Sequence, residues 1–230
     1  MKPEVSVIMY VKNGMPYFKR ALQSVITQTL RSIEILVVDG GSTDGTVEYT
    51  KQCQIRDSRI RLLFSEKGSV GAQFNQGVCE SAGEYIGIVE SDDYILPEMY
   101  EKELACARKH HCDILRADNM IFFNDGNNEI CLRTKVSNKE SDYNRLICAK
   151  QEPENVLIGG SYWTGLYRRK FLIEQNLWMN ESPGAAYQDF SFIFLTGALA
   201  ERVFLMPEAF YCYRKDNPNS SCNRPDRTDL

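Results

Sequence analysis

Histidine is scarce in this sequence of 230 residues, and the two that occur, His110 and His111, are adjacent. The eight cysteines are scattered, and none of them forms a Cys-x-x-Cys pair. Cys106 and Cys112 flank the histidines, but no second ligand pair follows at the spacing of a zinc finger. The sequence therefore disfavours imidazole catalysis and a zinc site, and it offers no Ser-His or Cys-His arrangement that would indicate a nucleophile.

Long apolar runs and long basic runs are also missing. No stretch approaches the roughly 20 apolar residues needed to cross a bilayer. The opening run Val5–Val11 is too short for a signal peptide, so we expect reduced and mostly structural cysteines. A net charge of −4 without a basic tract argues against nucleic-acid binding.

Apolar residues make up 43% of the chain, which is ample for the core of one globular domain. The first half alternates apolar strand-like runs with segments of helical spacing, which predicts an α/β fold with a mostly parallel sheet and helices on both faces. The second half is less regular. The elements predicted there are a helix over 97–109, strands over 113–123 and 130–134, helices over 143–149 and from 167, a helix ending at 199, and a strand over 202–213.

An apolar run from Ile86 ends abruptly in Glu90-Ser91-Asp92-Asp93. In an open α/β sheet, ligands bind at the carboxyl ends of the strands. Carboxylates at that place suit a hard divalent cation whose coordination is completed by phosphate oxygens. The alternative is that Ser91 or Asp92 starts a turn and caps the helix that begins near Pro97.

Asp39 ends a second apolar run and precedes a loop with three glycines, which extends to Gly45. The glycines permit sharp backbone geometry, and Ser42, Thr43 or Asp44 can cap the following helix. At a strand's carboxyl end, Asp39 could accept hydrogen bonds from a base or a ribose. The alternative for this residue is an Asx turn.

Several blocks are informative because of their order along the chain. They are Val5–Gly14, Ala21–Leu30, Glu34–Thr46, Glu90–Asp93, Trp163–Arg169 with Gln188-Asp189, and Tyr211–Arg214. Together they resemble the nucleotide-sugar-dependent glycosyltransferases of the GT-A fold, in the large inverting family two. The resemblance covers nearly the whole chain and is most specific in the first hundred residues.

The resemblance implies roles for individual residues. Asp189 would be the catalytic base, and Asp92 and Asp93 would hold Mn²⁺ or Mg²⁺. Acceptor-side residues would be Trp163, Arg168 and Gln188. Contacts to the nucleotide would come from Tyr10, Val11, Asn13, Asp39, Gly71, Asn75, Ser91 and Asp92. Three positions depart from the family pattern. This sequence has Glu90 where the family usually has Asp, Gln188 where it commonly has Glu, and Gln73 where it often has Arg.

Simpler roles compete with some of these. Asp189 could cap the helix that follows it, Trp163 could belong to the core, and Arg168 could lie on an exposed charged turn. The departures at Glu90 and Gln188 motivate a second hypothesis, a non-catalytic relative that binds a nucleotide sugar or an assembly partner. A dinucleotide-binding redox enzyme is poorly supported, because only Gly14 follows the first strand where a Gly-x-Gly-x-x-Gly turn is needed.

We expect one domain over residues 1–215, with a nucleotide-binding half to residue 95, an acceptor half from residue 96, and a polar tail over 216–230. By resemblance, the donor would be a UDP-sugar and the acceptor a saccharide or lipid-linked saccharide of a bacterial polysaccharide pathway. The enzyme would act in the cytoplasm at the inner face of the membrane. Peripheral membrane attachment and a homodimer are open alternatives.

Overall fold

The computed structural model describes residues 2–126, 128–152, 154, 161–184 and 187–220. Its strands are β1 (Val5–Val11), β2 (Ile33–Asp39), β3 (Ile60–Phe64), β4 (Tyr85–Ile88), β5 (Tyr94–Ile95), β6 (Ile114–Asn124), β7 (Glu129–Thr134), β8 (Leu146–Ile147), β9 (Gly165–Arg168) and β10 (Val203–Arg214). Its α-helices are α1 (Phe18–Ile26), α2 (Thr46–Arg56), α3 (Val70–Glu80), α4 (Met99–Lys109), α5 (Arg169–Glu174) and α6 (Phe190–Leu199). The predicted order of elements in the first half is confirmed.

The strands form one mixed sheet in the order β3-β2-β1-β4-β9-β6-β10-β5. The first four of these are parallel to one another. β9 runs antiparallel to both of its neighbours, β4 and β6, and β6 is parallel to β10. The carboxyl ends of β1, β2, β4 and β10 therefore lie at the same edge of the sheet.

The central strands are buried on both faces. Every residue of β1 and β2 is buried, as expected for parallel strands covered by helices on each side. α1 buries Phe18, Leu22 and Val25 at helical spacing. The resulting core holds β1, β2 and β4 rigidly, so the loops that leave their carboxyl ends start from fixed points.

Two predictions for the second half are wrong. Residues 143–149, predicted as a helix, contain the strand β8, whose Leu146 and Ile147 pair with β10. Residues 165–168 form the strand β9 rather than the start of a helix, and α5 begins only at Arg169. Both segments are short and are strands because they pair with distant parts of the chain, which local spacing does not reveal. The late strand is confirmed as β10, with an irregular register around Pro207.

The first two residues of the predicted polar tail, Asp216 and Asn217, contact the rest of the fold. Asp216 accepts hydrogen bonds from the backbone and side-chain nitrogens of Asn124, at 2.9 and 2.8 Å. Asn217 is buried. The fold therefore includes these residues, while the last ten positions of the tail lie outside the described residues.

The most apolar helix, α6, has ten residues, and Phe190 and Phe194 on it are largely exposed. It would extend about 15 Å. None of the described helices has both the length and the apolar composition that crossing a bilayer requires.

Gly71 in α3 lies against the backbone of the segment before α6. A Cβ atom at this position would come within 1.9 Å of the carbonyl oxygen of Asn180. Real side-chain carbons do not approach a backbone oxygen so closely, so only glycine fits here without a shift of the chain.

We expect Gly71→Ala to lower the free energy of unfolding by about 1–3 kcal/mol, because the added methyl group overpacks a site bounded by backbone. Gly68→Ala is the matched control, since a Cβ there meets no atom within 4 Å. Urea unfolding of both variants measures the difference. Equal stabilities would show that the approach of Asn180 does not constrain position 71.

Candidate active site

Three carboxylates meet where β4 ends. Glu90, Asp92 and Asp93, which we call the acidic cluster, each place a carboxylate oxygen within 4.8 Å of the others. Among the described residues, no other group of three metal-ligating side chains comes together in this way. An all-oxygen donor set of this kind fits a hard cation such as Mg²⁺ or Mn²⁺.

Asp93 is the deepest member of the acidic cluster, with 1% of its surface exposed. One oxygen accepts the Tyr211 hydroxyl at 2.7 Å, and the other accepts the backbone N–H of Arg214 at 2.7 Å. Burial, together with the charges of Glu90 and Asp92, raises the pKa of Asp93 well above its usual range. Both oxygens of Asp93 are thus committed to the end of β10.

Glu90 is bound by two phenol hydroxyls from different parts of the chain. Tyr10, in β1, donates to its Oε1 at 2.8 Å, and Tyr162, just before β9, donates to the same atom at 2.6 Å. The two hydroxyls also contact each other. Burial raises the pKa of Glu90 to about 7, the charge of Asp92 adds to the shift, and the two hydroxyls oppose it.

The carboxylate of Asp92 accepts fewer hydrogen bonds within the protein than those of Glu90 and Asp93. Its Oδ2 accepts the side-chain amide of Asn217 at 2.7 Å, and its Oδ1 accepts no hydrogen bond from the described residues. The alternative, in which Ser91 or Asp92 caps the helix near Pro97, is wrong. α4 starts after Glu98, and no side chain caps it. Asp92 therefore fits a direct cation ligand better than Asp93 does.

Asp39 forms the turn that the sequence suggests as its alternative role, and it leaves one carboxylate oxygen without a partner. Its Oδ1 accepts the backbone N–H groups of Gly41 and Ser42, at 2.9 and 2.8 Å, and so forms the Asx turn. Its Oδ2 is buried and has no hydrogen-bond partner among the described residues. A buried carboxylate oxygen without a donor is costly, so a ligand that offers an N–H or O–H would be bound favourably here.

The loop after β1 is tied to the loop after β2. Asn13, which has a positive φ of 54°, accepts the backbone N–H of Thr43 at 2.8 Å and donates its own N–H to Ser42 Oγ at 2.8 Å. Val11 and Tyr10 are buried at the end of β1. Half-buried Ser91 lies opposite this loop. A Cβ atom added to Gly14 would be 3.5 Å from the Cβ atom of Ser91.

Three residues near the start of α3 serve the fold. Asn75 exchanges hydrogen bonds with the backbone of Met179, both at 2.9 Å. Gln188 accepts the N–H of Gly71 at 2.5 Å. Gln73 donates to the carbonyl oxygens of Val11 and Val38, at 3.0 and 2.8 Å. Asn75 and Gln188 are thus engaged within the protein, and the nucleotide contact of Asn75 and the acceptor contact of Gln188 stay predictions.

Asp189 precedes α6 and is half-buried. Its carboxylate does not cap the helix, so the predicted capping role is not formed. Burial raises the pKa of Asp189 above the ordinary value for an aspartate, and its charge contributes to the raised pKa of Glu90. The two carboxylates are therefore within electrostatic reach of each other.

Trp163 and Arg168, both predicted on the acceptor side, lie at opposite ends of β9. Trp163 is buried at the site, where its ring stacks on Tyr211 at 4.3 Å and on Tyr213 at 5.1 Å. Arg168 pairs in register with Tyr85, the first residue of β4, and forms an ion pair with Asp113. Tyr85 precedes Glu90 by five residues, so Arg168 lies about 16 Å along the strand direction from the acidic cluster. This corrects the predicted position of Arg168.

A model of the family described as "Glycosyl transferase family 2" matches residues 6–174. The chain belongs to glycosyltransferase family 2. The matched range includes the acidic cluster, Asp39 and the tyrosines that bind Glu90, and it ends before Asp189.

Two relatives illustrate the similarity within this family. The uncharacterized glycosyltransferase EpsJ of Bacillus subtilis is 30% identical over 98% of this chain, and the match spans 64% of EpsJ. The glycosyltransferase GlyA of Streptococcus pneumoniae is 29% identical over 92% of this chain and 30% of its own length. The chain thus spans less than two thirds of either relative.

Solved structures share the fold. The crystal structure of S. aureus TarS matches with a TM-score of 0.73 and 22% identity, over 92% of this chain and 37% of TarS. A complex of TarS 1–349 with UDP-GlcNAc matches with a TM-score of 0.72 and 23% identity, over 93% of this chain and 59% of that chain. These matches confirm the expected GT-A fold.

Sequence reasoning missed Tyr162 and Asn217 at the site of this family-two protein. Tyr162 lies 72 positions from Glu90, and no local pattern links them. Asn217 lies 125 positions from Asp92, in a segment that reads as a polar tail. The sequence does point to Tyr211 and Arg214, because they lie in the late block that resembles the family.

Replacing Glu90 by glutamine is expected to change the pH dependence of stability. The carboxyl has an ordinary pKa of 4.5 and a folded-state pKa of about 7, so the native protein binds its proton more tightly than the unfolded chain does. The natural protein therefore loses stability as pH rises from about 4.5 to 7, and Glu90→Gln does not share this loss. The advantage of the variant should grow by about 1–3 kcal/mol between pH 5 and pH 8.

Urea unfolding at both pH values measures this effect, and Glu66→Gln, at an exposed position, is the control. Parallel stability curves for Glu90→Gln and the natural protein would contradict the assigned titration.

Proposed function

We propose that this family-two chain transfers a sugar from a UDP-sugar to a hydroxyl of a saccharide or lipid-linked saccharide, with a divalent cation and with inversion at the anomeric carbon. The observation that carries the proposal is the convergence of three features at one edge of the sheet. They are the unpartnered oxygen of Asp39, the acidic cluster, and the half-buried carboxylate of Asp189.

The nucleotide end of the proposed site is built around Asp39. Its buried Oδ2 needs a hydrogen-bond donor, which the N3–H group of uracil or a ribose hydroxyl would supply. The loop tied together by Asn13 and Ser42 borders the same edge. A structural neighbour, TarS 1–349, was solved with UDP and with UDP-GlcNAc, which favours UDP among the candidate nucleotides.

The cation would be held by Asp92, with Asp93 behind it and fixed by Tyr211. When bound there, Mn²⁺ or Mg²⁺ would act as a Lewis acid that neutralises the negative charge of the departing nucleoside diphosphate. Glu90 would contribute to the cation site only indirectly, because its carboxylate accepts hydrogen bonds from the hydroxyls of Tyr10 and Tyr162.

Asp189 would act as the general base. It would take the proton of the acceptor hydroxyl while the oxygen attacks the anomeric carbon. The bond from that carbon to the donor phosphate would break, and its electron pair would leave with the nucleoside diphosphate. A raised pKa suits this role, because it makes the carboxylate a stronger base. One displacement of this kind inverts the configuration and needs no protein nucleophile.

The wider setting is part of the proposal. The acceptor would belong to a bacterial polysaccharide pathway, and the reaction would take place at the cytoplasmic face of the membrane. The second candidate is a non-catalytic relative that binds a nucleotide sugar, a hypothesis motivated by the departures at Glu90 and Gln188. Turnover of the donor in the presence of metal separates the two.

Calorimetric titration with UDP should give binding that manganese strengthens by at least about tenfold, equivalent to about 1.4 kcal/mol, and that GDP and dTDP do not reproduce. Asp92→Ala should lose the manganese-dependent part, because it removes the carboxylate of the acidic cluster that accepts the fewest hydrogen bonds within the protein. Glu66→Gln should bind like the natural protein. A well-folded sample that binds none of the nucleotides would count against the whole proposal.

Asp189→Asn should reduce sugar transfer by about a hundred- to ten-thousand-fold and leave UDP binding unchanged, because it removes only the base. In the natural protein, transfer should rise with pH through the pKa of Asp189, which burial places above the ordinary 3.8. Initial rates across pH measure both effects. Glu201→Gln, at the far end of α6, is the control, and an equally active Asp189→Asn would exclude Asp189 as the base.

A further inference from the structure

The last residue of β10, Arg214, and the segment that follows it lie against the acidic cluster. The backbone N–H of Arg214 donates to Asp93, and its Nε donates to the carbonyl oxygen of Asp92 at 2.9 Å. The guanidinium of Arg214 lies 4.4 Å from the ring centre of Tyr17 and 4.5 Å from that of Phe122. Residues 214–217 therefore approach the cluster from a fixed position.

Asn217 is the residue of this segment that reaches the side chain of Asp92. Its Nδ2 donates to Asp92 Oδ2 at 2.7 Å, and its own Oδ1 accepts the backbone N–H of Asn219 at 2.9 Å. Because Oδ1 has this donor, the amide can present only its N–H groups to Asp92. Asn217 is 8% exposed, so water competes little for the bond.

The remaining carboxylates of the cluster do not depend on Asn217. Glu90 is held by Tyr10 and Tyr162, and Asp93 by Tyr211 and the backbone of Arg214. Asp92 lies in the loop after β4 rather than in a strand, and among the described residues Asn217 is the partner that sets its side-chain orientation.

We propose that Asn217 is a positioning residue that holds the carboxylate of Asp92 in place for a divalent cation and leaves Oδ1 directed to the ion. The inference rests on the cation site of the proposed function. Residues that hydrogen-bond a metal-ligating carboxylate fix its orientation, and their loss commonly weakens metal binding by about 10–100-fold. Asn217 would act through Asp92 and would not touch the substrate.

The test uses Asn217→Ala and Asn217→Ser, neither of which reaches Asp92 with a donor. Mn²⁺ binding is measured by electron paramagnetic resonance, with Mn²⁺ alone and with Mn²⁺ plus UDP. Both variants should bind Mn²⁺ about 10–100-fold more weakly than the natural protein. Asn219→Ala is the matched control, because this exposed residue contacts Asn217 through its backbone N–H.

A purely structural role is distinguished by two further measurements. UDP affinity in EDTA should be the same in all variants, because the Asp39 end of the site is untouched, and the midpoints of thermal unfolding should agree within a few degrees. Unchanged Mn²⁺ affinity in Asn217→Ala and Asn217→Ser, or an equal loss of UDP affinity in EDTA, would overturn the role of Asn217. Failure of the natural protein to bind Mn²⁺ would overturn the proposed cation site as well.

Discussion

Mutual repulsion within the acidic cluster is the constraint on which the site depends. Three carboxylates within 4.8 Å, partly removed from water, destabilise one another in their charged forms. The protein offsets this with donors from distant parts of the chain: the hydroxyls of Tyr10, Tyr162 and Tyr211 and the amide of Asn217. Strands β1 and β10 and the segment before β9 must therefore come together before the cluster is stabilised.

The direction of β9 makes this arrangement possible. A strand that runs antiparallel to its neighbours begins at the edge where the parallel strands end. The residues just before β9, Tyr162 and Trp163, are thereby delivered to the carboxyl ends of β1 and β4. Trp163 packs on Tyr211, which in turn binds Asp93. One reversed strand thus links the apolar core of the second half to the charged end of the first half.

The first half of the fold follows from the sequence because its signals are local. The run Val5–Val11 is apolar except for Ser6, and its burial on both faces needs no knowledge of its partners. The second half depends on pairing over long distances. Leu146 is a strand residue only because it lies opposite Phe204, and Tyr162 is a site residue only because the fold brings it to Glu90. Periodicity cannot report either contact.

The two departures from the family pattern acquire a physical explanation in this context. Gln188 accepts the N–H of Gly71 and donates to the carbonyl of Gly184 at 2.8 Å, which a glutamate could not do because a carboxylate has no donor. Glu90 accepts hydrogen bonds from two phenol hydroxyls, whereas the carboxylate of Asp92 accepts one hydrogen bond, from Asn217. Neither departure removes the candidate base or the candidate cation ligand. Both residues form hydrogen bonds within the protein, so the two departures give little reason to prefer a non-catalytic relative.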